Sequence, residues 1–516
     1  MQVGENTLRN VHLRPFRDAV DAGVQAVMAS FNDIDGVPMH ANRHLLRDVL
    51  KGEWGFDGLV VADWSGVAEL QDHGVAADAR EAARLAILAG VDLEMVSDCY
   101  DRHLADLVES GEVPREVLTD AVRRVLRVKV RAGLFERPYA RERVLGAMPH
   151  TAPTEASRAV ARRAAVAASV LVKNTNDLLP LSPDLSGLHL VGPFGSDGEA
   201  LLGTWVLDGR GDEVVPPEPV LRARLGDRLI VSDGRFSDLA MQRSRGAGVF
   251  PGGVEAIVML LGEHPARSGE ANSISDLRLP AGQIDVLRQQ ARLGKPLVAV
   301  VYTGRPLDLS DVLEVADAVL VCFHPGVEAG PALDAVLFGD AEPAGRLPVS
   351  FPRSSGHLPF SHLGRRTSRP IDPLDDARVG RYLDALTQSS LPFGHGSGYT
   401  TFELAHPHVS EPQVARDGTL NLQVDVTNTG RRPGRALVQL YLSDPVAALT
   451  RPRYELLDWR WVAAEPGRVA TASFEVSAAQ FGYYGPDRRF RVDAGSIRLS
   501  VGFDSAHPRS VDITVV

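Results

Sequence analysis

The chain has 516 residues, enough for two to four domains with cores of their own. With 55 Lys+Arg against 66 Asp+Glu, its formal charge of −11 argues against a dedicated nucleic-acid binder or a polybasic membrane-surface protein. Its 44% hydrophobic and 23% charged residues are ordinary for a globular protein. No apolar run approaches the roughly 18–20 residues of a membrane span, and the only cysteines, Cys99 and Cys322, allow one bridge at most and no disulfide framework.

Residues 1–135 alternate helices and short apolar strands. Leu8, Val11, Phe16 and Val20 lie near one face of an opening amphipathic helix, with Asn6 or Thr7 able to cap it and Pro15 kinking it. Strands are expected at Ala26–Ser30, Leu59–Ala62 and Val91–Val96. Helices are expected at His44–Leu50, at Arg80–Leu88 and through Val117–Leu126. Such alternation implies βα units on a parallel sheet. Residues 136–154, with Arg137-Pro138, Pro149 and Pro153, form a linker. A second alternating region, 155–398, has strand-like runs at Leu188–Val191, Leu229–Val231, Ala256–Leu261, Leu297–Tyr302 and Val319–Cys322, apolar throughout as in a sheet covered on both faces. In 399–516 the period becomes two. Leu420, Leu422, Val424 and Val426 alternate with polar residues, as do Val438, Leu440 and Leu442 and then Ile497, Leu499 and Val501. With turns at Asn428-Thr429-Gly430 and Pro433-Gly434, this pattern predicts an antiparallel β-sandwich.

Two carboxylates stand out. Asp63 ends the run Gly58-Leu59-Val60-Val61-Ala62-Asp63-Trp64. The C-terminal end of a parallel strand is where α/β barrels build their sites, and a carboxylate beside a ring that can stack on a sugar suits carbohydrate chemistry. The competing reading makes Asp63 the cap of the next helix. Glu270 lies among small residues, Ser268-Gly269-Glu270-Ala271-Asn272-Ser273, where a loop can approach a ligand closely. It reads equally as a solvated loop glutamate. Glu263, at the preceding strand end, reads as structural. Trp205, in Gly203-Thr204-Trp205, is either core or a ligand platform. His264 and His324 lack metal-ligand spacing, and Gly192 with Gly195 lacks the third glycine of a dinucleotide loop. No metal or nucleotide cofactor is expected.

These residues resemble glycoside hydrolase family 3, the β-glucosidase/β-xylosidase group. Val27-Met28-Ala29-Ser30-Phe31-Asn32 with Gly36 and Pro38 is similar to one of its strand motifs. Trp54-Gly55-Phe56-Asp57-Gly58 through Val61-Ala62-Asp63-Trp64 is similar to the segment that carries its nucleophile. Val172-Lys173-Asn174 with Leu178-Leu179-Pro180-Leu181 resembles the opening of its second domain. Leu337-Phe338-Gly339-Asp340, Gly345-Arg346-Leu347-Pro348, Pro392-Phe393-Gly394-His395-Gly396 and Tyr399-Thr400-Thr401-Phe402 match later signatures in order.

The resemblance implies an α/β multidomain chain with a TIM-like (β/α) barrel, an α/β sandwich domain and a C-terminal fibronectin type III-like β-sandwich. It also implies two-step retaining hydrolysis of terminal β-linked glucose or xylose, with Asp63 as nucleophile, Glu270 as acid/base, and Met28, Trp64 and Trp205 shaping the sugar pocket. A retaining pair of carboxylates works roughly 5–5.5 Å apart. The family's Lys-His pair and its upstream Asp and Arg have no counterpart in this sequence, and Phe31 stands where many members have Tyr. Residues 1–135 resemble roughly the last three of eight βα units, so the expected barrel is partial, with an unpaired parallel edge and uncovered apolar faces that favour association. The expected partners are a small oligosaccharide or aryl/alkyl β-glycoside, and a second copy or a complementing N-terminal barrel segment. Neither nucleic acid nor membrane is expected. The alternatives are a non-catalytic carbohydrate-associated module or half of a split enzyme. The sequence as written opens without a basic stretch followed by an apolar one, so it carries no secretory signal and, if complete, is expected in the cytoplasm.

Overall fold

A computed structural model describes residues 1–139, 153–232, 253–366 and 382–516. The chain divides into two compact units, one of Met1–Thr151 with Tyr483–Arg491, the other of Ala152–Gly482 with Val492–Val516. Most of the expected linker, 140–152, lies outside the described residues.

The first unit is built on a three-stranded parallel sheet in the order Ala26–Met28, Leu59–Trp64, Leu93–Met95. Helix Ala79–Ala89 shows why it packs as it does. Asp78 caps its start by accepting the Glu81 N–H (2.8 Å), and Gly90 ends it in the left-handed region at φ 111°. The buried face is Ala82, Ala83, Ala86, Ile87 and Ala89, of which the first four share one hydrophobic core with Val60 and Ala62 of the central strand. Helix Arg115–Arg131 is pinned beside that strand's start. Arg124 donates to the carbonyls of Phe56 and Gly58 (2.9 Å each), and Arg131 pairs with Asp57 (2.6 Å).

The opening segment departs from the single kinked helix expected. Glu5–Thr7 runs into a wide turn over Leu8–His12, closed by the Leu13 N–H on the Leu8 carbonyl, and a separate helix follows at Arg14–Asp21. Pro15 sits in the first turn of that second helix, where its missing N–H costs nothing. Neither Asn6 nor Thr7 provides a side-chain cap, and Phe16 is exposed rather than aligned with buried Leu8. Residues Tyr483–Arg491, part of the C-terminal segment in sequence, join this unit. The Tyr484 N–H donates to Asn10 Oδ1 (2.7 Å), Asn10 donates back to the Tyr484 carbonyl (3.0 Å), and Arg9 lies over the tyrosine ring.

The second unit holds a six-stranded sheet in the order Val170–Asn174, Ala318–Val321, Leu297–Tyr302, Ala256–Gly262, Leu188–Val191, Leu229–Ser232. The last five, foreseen from their apolar runs, are parallel. Ala256–Gly262 and Leu297–Tyr302 are buried along their whole length between two hydrophobic layers. Val170–Asn174 is an antiparallel edge strand that the sequence pattern did not reveal. The order reverses between Leu188–Val191 and Ala256–Gly262, and the crevice beyond the carboxyl ends of strands at such a reversal is where open α/β sheets bind ligands. A sandwich of a four- and a five-stranded sheet follows from Phe402. Strand Thr419–Asn428 keeps strict alternation, whereas Gly434–Ser443 becomes buried on both faces toward its end, where Gln439 donates to the carbonyls of Gly394 and Phe503. Cys99 and Cys322 are free, buried thiols, and among the described residues no helix is long and apolar enough to cross a membrane.

Candidate active site

Asp63 stands at the carboxyl end of the central strand of the first unit. Paired residues of parallel strands share a face, so the Met28–Val61 pairing puts Met28, Val61 and Asp63 on the side opposite the helices that cover Val60 and Ala62. That side is open, with Met28 48% exposed. The Asp63 carboxylate is half-buried. Its Oδ1 accepts the N–H of Trp64 (2.8 Å), and its carbonyl accepts the N–H of Gly66 (3.1 Å). The next helical turn, Ala68–Leu70, starts from Val67, so Asp63 does not cap it. The Trp64 ring is 63% exposed beside the carboxylate. Glu94, the acidic residue at the neighbouring strand end, is occupied differently: its oxygens accept the N–H groups of Cys99 and Tyr100, capping helix Cys99–Glu109.

His40, which no motif or spacing singles out, sits directly beneath. The Asp63 N–H donates to its Nε2 (3.1 Å), and the ring is packed so closely against Gly66 that a Cβ there would come within 2.3 Å of it. Burial pushes His40 down to about 4, against the opposing pull of the Asp63 charge, so the ring is neutral and free to accept. A histidine bound neutral in the fold takes up its proton first in the unfolded chain. The stability it confers is therefore complete above about pH 6.5 and is lost as pH falls toward 4. We expect this term, about 3 kcal/mol at full extent, to show as a difference between wild type and His40→Gln in chemical denaturation at pH 7 and pH 5. Equal pH dependence in both proteins would refute it.

In the second unit, the strand reversal is flanked by two loops. Gly192, at φ 123°, lets the first leave the sheet where a Cβ would lie 2.3 Å from the Leu260 carbonyl oxygen. This loop leads to Trp205, whose 72% exposure sets aside the core reading of that residue. Thr204 Oγ1 meets Ser268 Oγ (2.8 Å) and donates to the Pro265 carbonyl (3.0 Å), which joins the first loop to the second. Gly269, at φ 98°, sits where a Cβ would lie 2.2 Å from the Thr204 methyl. Glu270 follows, exposed. Glu263 is 1% exposed and bound by Arg267 and Arg305 at 3.1 Å each, the structural role expected of it. Met28, Asp63 and Trp64 are thus grouped in one unit, Trp205 and Glu270 in the other. Among the described residues no cluster of His, Cys, Asp and Glu could hold a metal ion.

Residues 1–128 match the N-terminal domain model of glycosyl hydrolase family 3, residues 169–399 its C-terminal domain model, and residues 436–505 a fibronectin type III-like domain. The chain is 33% identical to a periplasmic beta-glucosidase of Salmonella typhimurium, over 98% of this chain and 69% of that one. The chain belongs to glycosyl hydrolase family 3. A beta-xylosidase of Formosa agariphila is 31% identical, over 99% of this family 3 chain and 72% of its own length. The crystal structure of a beta-glucosidase from Listeria innocua in complex with glucose superposes with a TM-score of 0.92 at 33% identity, covering 100% of this chain and 71% of that one. The expected architecture stands: a partial barrel-type sheet, an α/β sandwich and a fibronectin-like sandwich. In the family's terms, Asp63 falls in the N-terminal domain and Glu270 in the C-terminal one.

Proposed function

We propose that this family 3 chain removes terminal β-linked glucose or xylose from small β-glycosides in two retaining steps, with Asp63 as nucleophile and Glu270 as acid/base. The observation that carries this reading is the placement of Asp63 at the carboxyl end of a central parallel strand, beside an exposed indole. In the first step an Asp63 oxygen bonds to the anomeric carbon while the bond to the aglycone oxygen breaks, and that oxygen takes the Glu270 proton. In the second, Glu270 takes a proton from water as the water oxygen displaces Asp63, restoring the original configuration. Met28, Trp64 and Trp205 offer apolar and aromatic surface to the sugar. Relatives named beta-glucosidase and beta-xylosidase support both sugars as candidates. A 2-deoxy-2-fluoroglycoside should leave a stable adduct on the peptide containing Asp63; an adduct on another carboxylate would reassign the nucleophile.

The open sheet face favours a second element of this reading. Ala26, Met28 and Leu93 are exposed along the three-stranded sheet, and we infer that turnover requires them to be covered, by a second copy or by a complementing segment. Specific activity should then rise with protein concentration alongside the mass measured by light scattering. Full activity from a monomer would remove this element.

A further inference from the structure

We propose that Arg305 is a positioning residue for Glu270: one guanidinium ties a buried carboxylate to both ends of the turn on which Glu270 stands. This rests on the acid/base reading of Glu270 given above.

Glu263 is fixed at the end of its strand by its N–H, which donates to the Tyr302 carbonyl (2.9 Å). Its Oε2 accepts Arg305 Nε (3.1 Å), and its Oε1 accepts Arg267 Nε (3.1 Å). Arg305 Nη2 donates to two main-chain carbonyls, those of Arg267 and Asn272. Residues 267 and 272 bracket the turn. Between them Gly269 and Ala271, on either side of Glu270, both have positive φ, 98° and 59°, and for alanine this is a sparsely populated conformation. Such a backbone persists only where its surroundings fix it, and the guanidinium closes the bracket. Arg305 is itself fixed: the buried Thr303 hydroxyl donates to the Arg305 carbonyl (2.8 Å) and accepts its N–H (3.1 Å). A lysine at 305 can neutralise Glu263, but it lacks the planar fork that serves a carboxylate and two carbonyls at once.

A general acid displaced by about 1 Å loses on the order of 100-fold in rate. The loss falls only on substrates whose leaving group needs a proton. We expect Arg305→Lys to lower kcat/KM for phenyl β-glucoside by about 10- to 100-fold and to change that for 2,4-dinitrophenyl β-glucoside little, since dinitrophenolate departs unprotonated. The β-xylosides serve in place of the glucosides if the wild type prefers them. Glu270→Gln, measured alongside, should show the same selectivity more strongly. Equal losses on both substrates in Arg305→Lys, or no loss on either, with Glu270→Gln selective, would overturn the role of Arg305 and leave Glu270 as the acid. A Glu270→Gln protein without selectivity would overturn the acid/base reading itself. Should Arg305→Lys not fold, as judged by its melting transition, Thr303→Val releases the same arginine and is held to the same two-substrate comparison.

Discussion

Asp63→Asn is expected to lower glycoside hydrolysis by at least ~10³-fold, the scale on which removal of a covalent nucleophile acts. The expectation is sharp because the substitution leaves the local hydrogen bonding intact. An asparagine oxygen can still accept the Trp64 N–H, and the main-chain N–H of residue 63 still meets His40. What is lost is the charge and nucleophilicity of the oxygen that does not hold Trp64. The variant should therefore fold and melt as the wild type does while failing to form the fluoroglycosyl adduct. Hydrolysis of p-nitrophenyl β-glucoside or β-xyloside measures it, and residual activity within tenfold of wild type would exclude Asp63 as nucleophile.

The second large effect concerns stability. Lys51 and Asp92 form an ion pair at 2.7 Å, with both side chains almost wholly buried. Burial works against both charges, pushing Lys51 down to about 8 and Asp92 up. The pair is tolerable because every polar atom has work to do: Lys51 also donates to the Gly90 carbonyl (2.7 Å), and Asp92 Oδ2 accepts the N–H of Val60 in the central strand (2.8 Å). Asp92→Ala strands a buried ammonium and orphans a strand N–H, which should cost about 3–5 kcal/mol, a large part of the stability of an ordinary domain. Lys51→Met combined with Asp92→Leu removes both charges and should recover the part of that loss due to the stranded ammonium, though not the part due to the strand N–H. Denaturant unfolding of the three proteins decides it; a loss under about 1 kcal/mol in Asp92→Ala would mean that the pair is solvated.

Much of the fold could be read from the sequence. The five parallel strands of the second unit were legible because each is a near-continuous apolar run followed by Gly or Pro, and Thr419–Asn428 because its alternation is strict. Val170–Asn174 was not, since its last two residues are polar and its pairing is antiparallel to a strand almost 150 residues away. The wide turns at Leu8–His12 and His44–Glu53 escaped because apolar spacing does not distinguish them from ordinary helix. The placement of Asp63 at a strand end followed from the run before it. His40 and Arg305 had no such signal. One is a histidine after a short hairpin and the other an arginine in a Thr-Gly-Arg-Pro loop, and only folding brings them against Asp63 and Glu263. The sequence hint for Arg305, in retrospect, is the fully apolar strand that delivers Glu263 into the interior, where a carboxylate requires a cation.

The hairpin residues Tyr483–Arg491 give the molecule a timetable. The first unit is built from residues translated early and from a short segment translated late, and the Asn10–Tyr484 hydrogen bonds cannot close until that segment leaves the ribosome. At roughly 5–20 residues per second, its amino-terminal portion waits on the order of 20–70 s for its last piece. Through that interval, Asn10 and the ring-stacked Arg9 have no tyrosine to meet, so a nascent chain halted before residue 483 displays an N-terminal unit still lacking part of its packing.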